Sequence, residues 1–150
     1  MKRRGGLLVV GVLLAVPLAL TGCGSDDDDE SVGVTLKDYS VTMPSTVTAG
    51  TVKFEVKNEA ASDHELVFVK TDAAGTLPLD ADGAVNEDAI PEADFAGEIE
   101  DIAAGKTKSG EIKLEPGTYV AFCNIVLEGT PPLNHYANGM HTVVTVKAAA

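Results

Sequence analysis

Short runs in which apolar and polar side chains alternate constrain the fold of this chain more than any other feature. Residues 32–37 (Val-Gly-Val-Thr-Leu-Lys) and 52–57 (Val-Lys-Phe-Glu-Val-Lys) have apolar side chains at every second position. Because successive side chains of a β-strand point to opposite faces, each run predicts a strand with one buried and one solvated face. Further strands are predicted at 65–69, 111–114, 118–122 and 141–147. About seven short strands predict one all-β sandwich domain over residues 32–150.

The segment 72–105 interrupts this pattern. It contains ten acidic residues and no basic residue, and it shows weak helical periodicity over 87–95. We therefore expect a solvated surface crossover that carries a short helix between two strands of the domain.

The amino terminus has the features of an export signal. Three basic residues within the first four precede an apolar stretch over 7–20, and small residues follow before Cys23. Residues 1–22 are therefore predicted to be a lipoprotein signal peptide, with Cys23 as the lipid-attachment site. Ordinary signal cleavage nearby is the alternative. Residues 23–31 are predicted to be an acidic tether, because their charges repel one another and no apolar side chain is available to bury. The domain would then lie outside the cytoplasm, anchored to the cell membrane on its periplasmic or cell-surface side.

The charge of the chain narrows the choice of partners. The whole chain has a formal net charge of −12, and loss of residues 1–22 leaves eight of its 11 basic residues against 23 acidic ones. Such a charge opposes binding to nucleic acid and favours a basic protein partner. A high-salt habitat and simple solubility are alternative causes of the acidity. We expect the domain to be a monomer.

Four residues have side chains of the types that select copper. Cys123 ends the apolar run 119–122, and His135 and Met140 follow it, while His64 lies on the predicted inner face of an earlier strand. Thiolate, thioether and imidazole together suit a copper ion that cycles between Cu(I) and Cu(II). If Cys23 carries lipid, Cys123 has no cysteine with which to pair, and a metal would protect its thiol. The third histidine, His141, follows Met140 directly and is therefore expected on the opposite, exposed face.

In the type, order and strand positions of these four residues, the chain from residue 32 to 147 resembles the cupredoxins, or blue copper proteins. The resemblance implies a cupredoxin-like Greek-key β-sandwich with one type 1 copper. It implies His64, Cys123 and His135 as in-plane ligands and Met140 as the weak axial ligand. It also implies that the backbone N–H of Glu65 lies near the Cys123 sulfur and that the Glu65 side chain lies close to Asn124.

One departure from the family pattern concerns the segment between Cys123 and His135. Eleven residues, 124–134, separate these two ligands, whereas many cupredoxins have only a few there. The inserted residues must fold back for His135 to reach the metal. They also contain Glu128, which is an alternative ligand in place of Met140 and would make the site harder and more suited to an enzyme.

The leading functional hypothesis is a membrane-anchored electron carrier and not an enzyme. It would pass single electrons between redox proteins such as a cytochrome and a terminal oxidase or reductase. A copper-binding or copper-delivery protein of the cell envelope is the second hypothesis, and a copper enzyme that uses Glu128 is the third. The small number of methionine residues, three in the whole chain, favours electron transfer over copper delivery.

Overall fold

The structure is a computed structural model that describes residues 31–72, 75–129 and 133–150. The predicted signal peptide, Cys23 and all of the predicted tether except Ser31 lie outside the described residues. Within the described ranges, no helix is long and apolar enough to cross a membrane.

The described residues form strands that pack as two main sheets. In chain order the strands are β1 (Val32–Lys37), β2 (Ser40–Thr42), β3 (Thr46–Thr48), β4 (Gly50–Asn58), β5 (His64–Thr71), β6 (Phe95–Ile102), β7 (Thr107–Leu114), β8 (Gly117–Phe122), β9 (Val126–Leu127), β10 (Leu133–Asn134) and β11 (His141–Lys147). One sheet has the order β2-β1-β4-β7, and the other has the order β3-β11-β8-β5-β6. Strands β9 and β10 form a separate two-stranded hairpin. The predicted all-β sandwich is confirmed.

The core lies between the two main sheets and is built from the alternating apolar side chains. Phe54 on β4 meets Phe68 on β5 with their ring centroids 4.9 Å apart, and both side chains are fully buried. This pair joins one sheet to the other, because β4 and β5 belong to different sheets. Burial of two aromatic side chains supplies a large share of the hydrophobic driving force.

Replacement of Phe54 by alanine is expected to destabilise the domain by about 3–5 kcal/mol, because it leaves a cavity between the sheets and removes a ring contact. Urea unfolding followed by circular dichroism measures this change. Leu79→Ala is the control, since Leu79 is half-exposed and a surface truncation changes stability by about 0.5 kcal/mol. Equal unfolding free energies in the two variants would show that the Phe54–Phe68 contact does not join the sheets.

The structure corrects the interpretation of the acidic segment. The expected short helix is only a single 3-10 turn, Glu87–Ala89, and part of the predicted crossover is strand β6, which pairs with β5 at the edge of its sheet. The pairing of β5 with β6 contains two register shifts, which disrupt the alternation of buried and exposed side chains along β6. An edge strand with this irregular pattern and many carboxylates does not show the two-residue period.

The segment between Cys123 and His135 folds back as the sequence required. Strand β9 pairs with β10 in antiparallel register, and the His135 N–H donates to the Ile125 carbonyl at 3.0 Å. This hydrogen bond closes the base of the hairpin, so the eleven-residue segment returns the chain to a point beside Cys123. The inserted segment therefore adds a hairpin to the surface, and His135 still lies at the end of the sandwich.

Candidate metal centre

Three separate chain segments bring His64, Cys123 and His135 to one end of the sandwich. His64 begins β5 and Cys123 follows β8; these strands are antiparallel neighbours, so the start of one lies beside the end of the other. His135 directly follows β10, at the base of the hairpin. The β5–β8 pairing and the hairpin together therefore bring side chains to one point that lie 12 to 71 residues apart in the sequence.

The ligand atoms of these three residues face one another. His64 Nδ1 lies 3.2 Å from His135 Nδ1, and the Cys123 Sγ lies 3.7 Å from the first nitrogen and 3.4 Å from the second. A point equidistant from all three atoms lies about 2.0 Å from each, close to the usual bonds of zinc to imidazole, about 2.0–2.1 Å, and to thiolate, about 2.3 Å. The triangle thus has the dimensions of a three-coordinate metal site.

Among the described residues, one group of His, Cys, Asp or Glu side chains has ligand atoms that meet in this way. It consists of His64, Cys123 and His135. Their side chains are closed off from solvent, with relative exposures of 0%, 0% and 1%. Two imidazoles and one unpaired thiol are donors that suit copper, and they fit a single type 1 copper ion.

Met140 is held beside the same three residues by the backbone. The Cys123 N–H donates to the Met140 carbonyl at 3.0 Å, and the Met140 N–H donates to the His135 carbonyl at 3.1 Å. Gly139, with φ at 102°, supplies the left-handed backbone that lets the chain turn before Met140. The Met140 side chain is fully buried in the same core cluster as Cys123. Met140 is therefore a buried residue whose backbone lies beside Cys123 and His135 at this end of the sandwich.

The buried site keeps its metal-free ligands uncharged. Burial raises the pKa of the Cys123 thiol to about 11, although backbone N–H groups of Glu65 and Ile125 donate to the sulfur and oppose this shift. Burial lowers the pKa of His64 and of His135 below the ordinary histidine value, and in His64 the neighbouring His135 adds to this effect. A bound cation would replace the proton of the thiol and stabilise the thiolate.

Glu65 and Asn124 connect the site to the acidic segment, residues 72–105. The Asn124 N–H donates to Glu65 Oε1 at 2.9 Å, so both Glu65 contacts that the resemblance implied are present. The Asn124 side chain accepts from the Val85 N–H at 2.8 Å and donates to the Val85 carbonyl at 2.9 Å and to Glu87 Oε1 at 2.8 Å. Asn124, which directly follows Cys123, is therefore held by Glu65 through its backbone and by the acidic segment through its side chain.

Replacement of Glu65 by alanine is expected to leave the Asn124 N–H without its acceptor and to lower stability by about 1–3 kcal/mol. Because Asn124 directly follows Cys123, the reduction potential of a copper-loaded site should change as well. Glu65→Gln keeps an acceptor oxygen and serves as the control. Thermal unfolding and voltammetry measure the two effects, and an unchanged stability and potential in Glu65→Ala would exclude this role.

Two other residues that the sequence analysis considered lie away from the three ligand atoms. Glu128 is exposed in the hairpin loop and does not belong to the group of converging ligand residues. His141 is exposed and stacks on Tyr136, with ring centroids 4.5 Å apart. Neither residue contributes a ligand atom in this arrangement.

Three residues near the site were missed in the sequence analysis. Asn134 is buried, and its Oδ1 accepts from the Ala137 N–H at 3.1 Å, which shapes the turn after His135. Asp38 and Tyr39 form the turn between β1 and β2 and approach His64 and His135 respectively. No local pattern in the sequence indicates that this turn lies near the two histidines, because the contact depends on how the turn packs against the start of β5.

Comparisons with known proteins support the fold. No protein-family model matches the chain, and no curated protein sequence matches it. Among solved structures, a dithionite-reduced auracyanin from the photosynthetic bacterium Roseiflexus castenholzii is 24% identical, with a TM-score of 0.55 over 77% of this chain and 94% of that one. Auracyanin B is 22% identical, with a TM-score of 0.53 over 78% of this chain and 88% of that one. The chain has the cupredoxin fold, as the resemblance in its sequence implied.

Proposed function

We propose that this chain is a membrane-anchored, extracytoplasmic type 1 copper protein that carries single electrons between redox proteins. The observation that carries this proposal is the convergence of two imidazole nitrogens and one thiol sulfur, 3.2–3.7 Å apart, in a closed site of a cupredoxin fold. His64, Cys123 and His135 would hold the ion, and the buried Met140 would supply a fourth, thioether ligand. When bound, copper supplies a one-electron couple between Cu(I) and Cu(II).

The protein groups of the site favour electron transfer over catalysis. The four proposed ligand side chains are at most 1% exposed, which leaves a small-molecule substrate no direct access to the metal. The ligand segments are fixed by backbone hydrogen bonds, including those between Cys123, Met140 and His135. Buried side chains on segments held in this way would keep the same ligands around both oxidation states of a bound copper ion, which favours rapid electron transfer. We therefore propose a carrier without a turnover of its own.

The proposed location depends on the amino terminus. The basic residues, apolar stretch and small residues before Cys23 support export and lipid attachment. The acidic residues that follow would act as a tether between the membrane and the first described strand. An anchor of this kind keeps the carrier at the membrane surface, where a cytochrome or a terminal oxidase or reductase would exchange electrons with it.

The proposed partner has a basic docking surface, because this chain has a net charge of −12. Association between opposite charges is screened by salt, with a Debye length of about 10 Å at 0.1 M and about 3 Å at 1 M ionic strength. The rate of electron transfer to a basic cytochrome is therefore expected to fall at least tenfold between these ionic strengths. Stopped-flow absorbance measures it, and an acidic cytochrome is the control. A rate of electron transfer to the basic cytochrome that does not change with salt would contradict electrostatic attraction between the two proteins.

A copper titration tests the function directly. Addition of Cu(II) to the metal-free protein is expected to give an intense thiolate-to-copper absorption band in the visible, and the band should saturate at one equivalent. The number of bound ions follows from elemental analysis after desalting. Copper binding without this band, or with more than one equivalent required to develop it, would contradict a type 1 site.

A further inference from the structure

His64 contains an unusual nitrogen atom. Its Nε2 is the one buried side-chain nitrogen or oxygen of the described residues that has no hydrogen-bond partner. Its other ring nitrogen, Nδ1, faces Cys123 and His135. In a neutral imidazole one nitrogen carries the proton and the other accepts or binds a metal. Use of Nδ1 as a ligand therefore requires a proton on Nε2, and a buried N–H without an acceptor destabilises the protein.

A carboxylate lies just beyond hydrogen-bonding distance of this nitrogen. Asp38 Oδ1 is 3.7 Å from His64 Nε2, and the Asp38 side chain is 53% exposed, so it has space to move. The other nearby carboxylate, Asp63, already accepts the Ala104 N–H at 3.0 Å. Asp38 is thus the acceptor that a shift of less than about 1 Å would bring to the Nε2–H group.

The turn that carries Asp38 is held in place from several sides. Ser62 Oγ donates to Asp38 Oδ1 at 3.2 Å, which fixes the carboxylate on the side toward the start of β5. Tyr39, the next residue, has a left-handed backbone with φ at 64° and closes the tight connection between β1 and β2. Its ring meets the His135 ring edge-on, with centroids 5.8 Å apart. One turn therefore contacts both histidines of the metal centre.

We propose that Asp38 is a positioning residue for the copper ligand His64. Its carboxylate accepts the Nε2–H group and holds the ring with Nδ1 toward the metal. Histidine ligands commonly donate their second N–H to a carboxylate, which fixes the tautomer and makes the ligand nitrogen more basic. The more basic nitrogen and the added negative charge favour Cu(II) over Cu(I), so Asp38 lowers the reduction potential. This inference rests on the proposed function for its effects on copper affinity and reduction potential, but not for the placement of the His64 proton.

Asp38→Ala and Asp38→Asn test the proposal, with Asp82→Asn as the control. Asp82 has an exposed side chain, and its backbone carbonyl accepts from the amide of Asn134, the residue before His135. Asp82→Asn therefore removes one negative charge on the same side of the domain and leaves this backbone contact in place. Competition with a chelator is expected to show that Asp38→Ala binds Cu(II) about 10- to 100-fold more weakly. Asp38→Asn keeps an acceptor oxygen and should retain most of the affinity. Voltammetry should show a more positive potential in both Asp38 variants and a clearly smaller shift in Asp82→Asn, which removes a charge but no contact with His64.

A metal-free measurement separates this inference from the proposed function. Nitrogen-15 NMR of the metal-free protein is expected to show the His64 proton on Nε2, and Asp38→Ala should reduce that preference. A proton on Nδ1 in the unaltered protein would overturn the inference, as would Asp38→Ala matching Asp82→Asn in affinity and potential. If the unaltered protein gives no thiolate-to-copper band, the proposed function fails. The NMR result and the Zn(II) affinities of the same variants would then still decide whether Asp38 positions His64.

Discussion

Replacement of Cys123 by serine is expected to abolish the visible copper band and to weaken Cu(II) binding roughly 100-fold or more. The band needs a thiolate bonded to copper, and Cys123 is the cysteine whose sulfur lies within 3.4–3.7 Å of both imidazole nitrogens. A site with four protein ligands binds its metal ion with about 10–16 kcal/mol in total, or about 3 kcal/mol for each ligand. Loss of one ligand therefore weakens metal binding by roughly 100-fold or more. Absorbance and chelator competition measure the two quantities.

Cys23→Ser is the matched control for this experiment. Cys23 is the only other cysteine of the chain, and the proposal assigns it to the lipid anchor and not to the metal. This variant should keep the band and the affinity of the unaltered protein, while Cys123→Ser should keep the fold, because serine is close in size to cysteine. Loss of the band in Cys23→Ser, or its persistence in Cys123→Ser, would mean that the metal binds elsewhere.

Copper affinity is expected to rise about tenfold for each pH unit between about pH 7 and 11. The pKa of the buried Cys123 thiol is raised to about 11, so in this range the metal-free protein holds a proton that binding must release. Burial lowers the pKa of both site histidines, so they are already neutral at pH 7 and release no proton. The affinity should level off above pH 11, where the thiolate forms without metal.

Chelator competition at several pH values, corrected for protonation of the chelator, measures this slope. Cys123→Ser is the control, because a serine hydroxyl does not ionise in this range and its residual binding should show no such slope. A pH-independent affinity in the unaltered protein would indicate that the thiol is already ionised without metal, or that it is not a ligand.

The sequence predicted the parts of the fold that depend on local pattern. Strands β1 and β4 have regular alternation, and their apolar side chains form the core as expected. Strand β6 was missed, because its bulged pairing and its carboxylates hide the two-residue period. The length of the segment after Cys123 was evident, but its hairpin depends on pairing between β9 and β10, which are only two residues each.

The candidate site was predictable to the extent that it depends on residue type and order. His64, Cys123 and His135 have side chains that bind copper, and the strand ends on which they lie were visible in the sequence. The approach of Asp38 to His64 was not predictable, because it depends on how the β1–β2 turn packs against the start of β5. Contacts between distant segments of this kind require the three-dimensional arrangement of the two sheets.

The central claim is that this protein carries one electron at a time and keeps its copper while doing so. A spectroelectrochemical titration of the copper-loaded protein, with a Cu(I) chelator present, tests it most directly. We expect the visible band to disappear on reduction and return fully on oxidation, with a slope of one electron per chain and no copper transferred to the chelator. Transfer of Cu(I) to the chelator on reduction, with loss of the band on reoxidation, would contradict the carrier and indicate a protein that delivers copper.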